Sequence, residues 1–214
     1  MKLKQFQADF EQGKYDEKLC QLYGDSNEIL SAQHARYLQA IEDFSRLYPE
    51  REEIAVFSAP GRTEVGGNHT DHQHGCVLAA SVDLDVIAIV AFHDEHVIRL
   101  QSAGYPQDYV DLHDLTAQPK EKGTSAALIR GVVSRFQEMG VPVQGFDAYT
   151  TSNVLSGSGL SSSAAFEVLL GTIMDQHYHA GAAGAVEIAK IGQFAENTYF
   201  GKPSGLLDQL CCAC

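Results

Sequence analysis

The segment that most constrains this chain is a glycine- and serine-rich stretch that leads directly into an apolar, helix-like sequence. It runs from Leu155 to Ala165 and reads LSGSGLSSSAA. Glycines let backbone N–H groups approach a ligand, and the first N–H groups of the following helix lack partners within the helix. With the helix macrodipole behind them, these donors favour anions. The stretch predicts a phosphate-binding loop, although a plain Gly-Ser turn closed by a serine helix cap fits it equally well.

The charge balance restricts the kind of partner. Fifteen basic residues face 28 acidic ones, which gives a formal net charge of −13 and argues against nucleic-acid or anionic membrane surfaces. Any phosphate binding must therefore be local, made by the backbone and a few side chains. No apolar run reaches the roughly 20 residues of a membrane span, and the first residues lack an apolar signal core, so we predict a cytoplasmic protein.

The cysteines are odd in number and have no spacing typical of a disulfide framework, so we predict reduced thiols. They are Cys20, Cys76, Cys211, Cys212 and Cys214. If the last residues form a strand, Cys212 and Cys214 share a face, which leaves a zinc site as a weak alternative.

The first 50 residues predict a helical leader. Apolar spacing indicates two short helices around Gly13, then a longer helix capped by Asp25 or Ser26 and ended by Pro49. A β-rich region follows, with strands predicted at residues 54–58, 76–80 and 84–92. Residues 96–101 are predicted to form a hairpin with the last of these across a turn at His93 and Asp94. The polar residues 101–123 predict a loop with an edge strand near 109–112.

The second half alternates helices and strands. The pattern predicts a helix over 124–139, a strand over 144–151, the Gly-Ser loop, helices over 161–177 and 183–199, and a strand over 206–212. Strand, glycine loop and helix is the order that the phosphate hypothesis requires. The chain ends inside the last predicted strand, so we expect it to be the first part of a longer protein.

A dense polar cluster at residues 61–75 suits sugar recognition, because carboxylates, amides and imidazoles each make several hydrogen bonds to hydroxyl groups. Its His69, Asp71, His72 and His74 could alternatively bind a metal, but a structural zinc site would need a second ligand cluster elsewhere. Asp208 lies in an apolar segment, where a carboxylate is costly to bury unless it is paired. Taken alone, Asp208 is more simply an exposed strand position or part of a structural ion pair, and Glu196 is more simply a surface charge.

Taken together, these segments resemble the GHMP small-molecule kinases, and among them the sugar 1-kinases that act on galactose. The resemblance covers about residues 54–214 and rests on three motifs in the right order. These are Gly61-Arg62 with His69-Thr70-Asp71, the Leu155–Ala165 loop, and Ala195-Glu196-Asn197 followed by Gly205-Leu206-Leu207-Asp208-Gln209. It implies an α+β domain of the ribosomal protein S5 domain 2-like type at residues 51–214, after the leader at 1–50, with the C-terminal domain absent from this chain.

The resemblance also implies an activity: transfer of phosphate from ATP to galactose, giving galactose 1-phosphate. Asp208 would be the base for the anomeric hydroxyl, and Arg62 would lower its pKa and stabilise charge on the γ-phosphoryl group. Mg²⁺ would be held by Ser163 and Glu196. The ATP phosphates would lie against Gly157, Ser158, Gly159, Leu160, Ser161, Ser162 and Ser163. The sugar would lie against Asn68, His69, Thr70, Asp71 and Gly205. The partners are sugar, ATP and the C-terminal half, without which we expect weak or absent activity.

Several positions depart from the pattern of the resembled kinases. Asn68 stands where they usually have a glutamate that contacts the sugar's 6-hydroxyl, and Glu64 stands where asparagine is common. His72 replaces a tyrosine and Leu155 a proline, and the chain has no tryptophan for an adenine pocket. The alternatives are a kinase for another sugar, such as galactosamine or arabinose, or a non-catalytic sensor of galactose and ATP. The presence of both Asp208 and Arg62 favours the enzyme.

Overall fold

The computed structural model describes residues 1–214, which form a mixed α+β fold built on one five-stranded sheet. The strands are β1 Ala55–Gly66, β2 Leu78–His93, β3 Val97–Ser102, β4 Asp108–Asp111 and β5 Gly145–Ser152. The α-helices are α1 Leu3–Glu11, α2 Asp16–Tyr23, α3 Asn27–Leu47, α4 Ser125–Glu138, α5 Ser162–Tyr178, α6 Gly184–Ala195 and α7 Leu207–Ala213. None of these helices is both long enough and apolar enough to cross a membrane.

The strand order is β1-β2-β5-β3-β4, and one sequence prediction about it is wrong. β3 does not form a hairpin with β2, because β5 lies between them, antiparallel to β2 and parallel to β3. β2 is buried from residue 85 to residue 91 and β3 is buried or half-buried throughout, and β5 gives both of these segments a hydrogen-bonded neighbour in the interior of the sheet. The two strands predicted at 76–80 and 84–92 are one continuous strand, β2.

Alternate residues of β2 enter two different cores, because successive side chains of a strand point to opposite faces. Val86, Ala88 and Val90 belong to a core of 28 buried residues shared with α4, α5 and α6. Ile87 and Ile89 belong to a second core of 13 buried residues, made mostly by the leader helices α1 to α3. The sheet is therefore the middle of three layers.

The leader has the helices that the sequence predicts. The two short helices flank Gly13, and α3 ends at Leu47, just before Pro49. The capping residue of α3 is Ser26, whose hydroxyl accepts a hydrogen bond from the backbone N–H of Ile29 at 3.2 Å.

The last element is a helix, α7, and not the strand predicted over 206–212. A short apolar run fits either period, so sequence spacing could not separate the two. The buried residues of this element, Gln209 and Cys212, are three apart, which is helical spacing. The strand that would have placed Cys212 and Cys214 on one face does not exist, and no group of three or more His, Cys, Asp and Glu side chains is arranged to hold a metal ion.

Candidate active site

Arg62 is a buried residue of β1. The sequence predicted that the strand ends near residue 58, but β1 continues to Gly66, so the Gly61-Arg62 pair lies within a strand. The backbone N–H of Arg62 donates to Leu160 O at 3.1 Å, which ties β1 to the Gly-Ser loop. Gly61 permits this approach, since a Cβ there would lie 2.9 Å from Leu160 O.

Asp208 lies in the first turn of α7, and its two carboxylate oxygens have different hydrogen-bond partners. Arg62 Nε and Nη2 lie 2.8 and 2.7 Å from Oδ1, while Ser161 Oγ donates to Oδ2 at 2.5 Å. Burial alone would raise the pKa of Asp208, but the hydrogen bonds from Ser161 and Arg62, with the charge of Arg62, hold it below its usual value. The carboxylate is therefore ionised at neutral pH.

Glu64 and His69 add a second carboxylate and an imidazole to this cluster. Asn68 and His69 both have a φ of 53°, and this left-handed turn brings the His69 ring to Asp208, with Nε2 3.0 Å from Oδ1. On the other side of the ring, Nδ1 pairs with Glu64 Oε2, and Glu64 Oε1 accepts the backbone N–H of His69 at 2.7 Å. The contact made by Glu64 was missed from sequence, where the residue stood out only as a departure from the family pattern.

Asp71, Thr70 and Gly205 make a second group of contacts. Asp71 Oδ2 accepts the backbone N–H of Leu207 at 3.0 Å, so this carboxylate holds the start of α7. A Cβ at Gly205 would overlap the Asp71 carboxylate, which explains the glycine. Thr70 Oγ1 donates to Gly67 O at 2.9 Å and shapes the turn that precedes Asp71.

The Gly-Ser loop has the conformation that its glycines favour. Gly157 and Gly159 have φ values of 77° and 80°, which suit glycine because it lacks a Cβ. Ser158 Oγ donates to Leu155 O at 2.7 Å within the loop. The alternative of a serine-capped turn is wrong, because Ser161, at the cap position of α5, makes no side-chain cap and bonds Asp208 instead. The first N–H groups of α5, from Ser162 onward, are not occupied by a side-chain cap.

Next to the loop lies a buried polar cluster centred on Glu196. Ser163 Oγ donates to Glu196 Oε1 at 3.0 Å, and Lys202 Nζ lies 3.1 Å from the same oxygen. Gln209 Nε2 bridges Glu196 Oε2 at 2.8 Å and Glu167 Oε2 at 2.9 Å. Glu167 is fully buried, and burial followed by repulsion from Glu196 raises its pKa well above the usual value. Its Oε1 has no hydrogen-bond partner.

Two members of this cluster, Ser163 and Glu196, are the residues that the resemblance implied as Mg²⁺ ligands. A hydroxyl and a carboxylate are the hard oxygen donors that Mg²⁺ prefers, and the two are already in contact. Glu196 begins a short π-helical turn, Glu196–Phe200, which redirects the chain after α6. The pair fits the ion chemically. Glu167 and Lys202 were missed from sequence, and Gln209 was named only as the last residue of a motif, although a glutamate inside the apolar α5 run was an available signal for Glu167.

Comparison with known proteins defines the class. Residues 42–92 match the galactokinase galactose-binding signature, and residues 127–214 match the GHMP kinases N-terminal domain. Galactokinases of Streptomyces coelicolor and Bacillus subtilis are 38% and 32% identical over 173 and 170 residues, which is 81% and 78% of this chain. The chain spans 44% and 43% of the length of those relatives.

The solved structures agree with the sequence matches. A crystal structure of Lactococcus lactis galactokinase complexed with galactose superposes with a TM-score of 0.73 at 27% identity, covering 79% of this chain and 44% of that one. Mevalonate kinase of Methanococcus jannaschii shares the fold, with a TM-score of 0.62 at 18% identity, covering 75% of this chain and 51% of that one. The chain therefore belongs to the GHMP kinase family and has the fold of its N-terminal domain. Within that family, it is similar to the N-terminal part of galactokinases.

Proposed function

We propose that this chain is the N-terminal part of an ATP-dependent sugar 1-kinase that converts galactose to galactose 1-phosphate. The observation that carries the proposal is the Asp208 carboxylate, which Arg62 and Ser161 hold in its ionised form beside the Gly-Ser loop. Phosphoryl transfer requires positioning, charge stabilisation and an acceptor for the proton of the nucleophile. This cluster offers all three in one place.

Asp208 is the proposed base, and its two oxygens differ in availability. Oδ1 faces three nitrogen atoms, Nε and Nη2 of Arg62 and Nε2 of His69, whereas Oδ2 has only the Ser161 hydroxyl. We assign Oδ2 as the atom that takes the proton from the anomeric hydroxyl. The lowered pKa suits a loose transition state, in which the proton leaves late and the base must above all stay ionised and aligned.

Arg62 is the proposed stabiliser of the charge that develops on the transferred phosphoryl group. Its guanidinium is almost fully buried, where a fixed positive charge acts more strongly than in water. Nη1 donates to Gly159 O at 2.6 Å, so the same side chain joins the base to the phosphate loop. This contact links the expected positions of sugar and ATP.

ATP would be held by the loop from Gly157 to Ser163, through backbone N–H groups and the uncapped start of α5. Ser163 and Glu196 would hold Mg²⁺, which neutralises phosphate charge when bound. Lys202, in contact with Glu196, adds a positive charge at that edge. On the sugar side, Asp71 Oδ1 and the Asn68 amide are the proposed hydroxyl-binding groups, because Asp71 Oδ2 is already engaged by Leu207.

A second candidate keeps the same chemistry with another sugar. Asn68 offers an amide where the resembled kinases have a carboxylate, so galactosamine or arabinose must be compared with galactose. Joined to the C-terminal half that we propose it requires, the protein should be given Mg²⁺, ATP and each sugar, and sugar 1-phosphate should be measured by ³¹P NMR. We expect galactose to react fastest. Faster turnover of another sugar would mean that this sugar, and not galactose, is the substrate. Binding of galactose without formation of product would favour the non-catalytic sensor.

A further inference from the structure

The His69 ring lies between two carboxylates, and this geometry favours its doubly protonated form. Nδ1 pairs with Glu64 Oε2, and Nε2 lies 3.0 Å from Asp208 Oδ1. A carboxylate oxygen only accepts hydrogen bonds, so each ring nitrogen must carry a proton to make its contact. Neutral imidazole carries only one such proton. Only the imidazolium form makes a hydrogen bond to both carboxylates at once.

The surrounding charges agree with this assignment. The charged groups in contact with His69 are Glu64 and Arg62 on β1 and Asp208 on α7, which gives two negative charges against one positive charge. Arg62 Nη2 lies 3.2 Å from His69 Nε2, but it lies closer, at 2.7 Å, to Asp208 Oδ1, so an imidazolium Nε2–H and Arg62 Nη2–H can both donate to that oxygen. The pKa of His69 is raised, first by the hydrogen bond to Glu64, and Asp208 adds to the rise while burial opposes it.

We propose that Glu64 and His69 form a positioning pair, in which Glu64 keeps His69 as an imidazolium that anchors Asp208 Oδ1. The sequence resemblance placed His69 against the sugar, but both of its ring nitrogens face the protein's own carboxylates. With Oδ1 anchored by His69 and Arg62, Oδ2 is left to face the sugar hydroxyl. The role in turnover rests on the proposed kinase function, whereas the protonation of His69 does not.

The contact between His69 and Asp208 depends on pH, and the direction of this dependence follows from the pKa of His69. Because Glu64 raises the pKa of His69, the imidazolium persists to higher pH than in an unpaired histidine and is lost as the pH rises through that raised pKa. Above it, the ring has one proton for two carboxylates. Asp208 is then held by Arg62 and Ser161 without its third anchor.

The first test is an NMR titration of the histidine ring nitrogens in ¹⁵N-labelled protein, with His69 assigned by His69→Gln. We expect both nitrogens of His69 to be protonated at pH 7, with a midpoint above the usual value of about 6.5. Glu64→Gln, which still can accept the His69 backbone N–H, should lower that midpoint by about one unit or more. Asp111→Asn, at the exposed Asp111–His113 pair, is the matched control and should leave it unchanged. A neutral His69 at pH 7, or an unmoved midpoint in Glu64→Gln, would overturn the pair.

The second test measures kcat of sugar phosphorylation against pH in the protein joined to its C-terminal half. We expect kcat to fall as the pH rises through the His69 midpoint, and Glu64→Gln to move that fall to lower pH by the same interval, with KM for the sugar changed less than twofold. A uniform loss at every pH would show a merely structural role and overturn the proposed role in turnover. If the unsubstituted protein transfers no phosphate to any sugar, the proposed function fails, while the NMR titration still decides the protonation of His69.

Discussion

Arg62 and Asp208 are 146 residues apart in the chain, and Arg62 Nη2 lies 2.7 Å from Asp208 Oδ1 in the folded protein. Arg62 is buried within β1, and Asp208 occupies the first turn of α7. Leaving either charge buried without the other would cost several kcal/mol, so the pair fixes α7 against the sheet. The proposed base is thus positioned by the same contact that completes the fold.

Asp208→Asn is expected to bind sugar normally and to lose phosphate transfer by about 10²- to 10⁴-fold, because an amide of the same shape cannot take the proton. Product formation and sugar binding by calorimetry should be measured in the protein joined to its C-terminal half. Asp94→Asn, at an exposed turn, is the control and should keep full activity. Normal turnover of the Asp208 variant would exclude it as the base.

Glu167→Gln is expected to stabilise the chain at higher pH. The folded pKa of Glu167 lies well above its usual value of 4.5, so its contribution to stability is fully present below that pH and is lost as the pH rises through the folded pKa. Within that window, one proton is worth about 1.4 kcal/mol per pH unit. Glutamine has the same shape and no charge, and its amide N–H can donate to Oε1 of Gln209, which has no partner.

The measurement for Glu167→Gln is urea unfolding between pH 5 and pH 8. The free energy of unfolding of the variant should fall less with rising pH than that of the unsubstituted chain. Glu187→Gln, which removes an outer ion pair with Lys190, should follow the unsubstituted chain. If the free energy of unfolding changes with pH in the same way in all three proteins, Glu167 ionises in the folded chain without loss of stability.

Gly205→Ala is expected to lower the free energy of unfolding by about 1–3 kcal/mol, since the new methyl group overlaps the Asp71 carboxylate and disturbs its bond to Leu207. Gly66→Ala, also near the site but with open space at its Cβ position, should change stability far less. Chemical denaturation of both variants checks this. Equal losses of stability in the two variants would mean that the backbone around Gly205 shifts to accept the methyl group without cost.

Asn68→Glu is expected to shift sugar preference toward substrates with a 6-hydroxyl, because it restores a carboxylate at that position. Asn68 has a φ of 53°, a conformation that asparagine tolerates better than glutamate, so the variant should also lose some stability. Asn68→Gln carries the same backbone cost without the charge and separates the two effects. An unchanged ratio of galactose to arabinose turnover in Asn68→Glu, compared with Asn68→Gln, would remove residue 68 from the 6-hydroxyl pocket.

Local features of the fold were readable from the sequence. The leader helices, the Ser26 cap and the strand-loop-helix order around Gly157 and Gly159 are confirmed, because each depends on periodicity or turn chemistry within a few residues. The placement of β5 between β2 and β3 was not readable. It depends on which strands pair over long separations, and a tight turn at His93 and Asp94 suggested the wrong neighbour.

The family match and the candidate residues came from motifs in the sequence, whereas their relationships came from the tertiary structure. The Leu155–Ala165 loop alone predicted an anion site, but only the fold turns Ser161 away from the helix cap and toward Asp208. It likewise makes Leu207–Ala213 a helix and brings Glu64 to His69. The physical reason is that hydrogen-bond partners are chosen by distances of a few ångströms between residues far apart in the chain, and local spacing does not encode those distances.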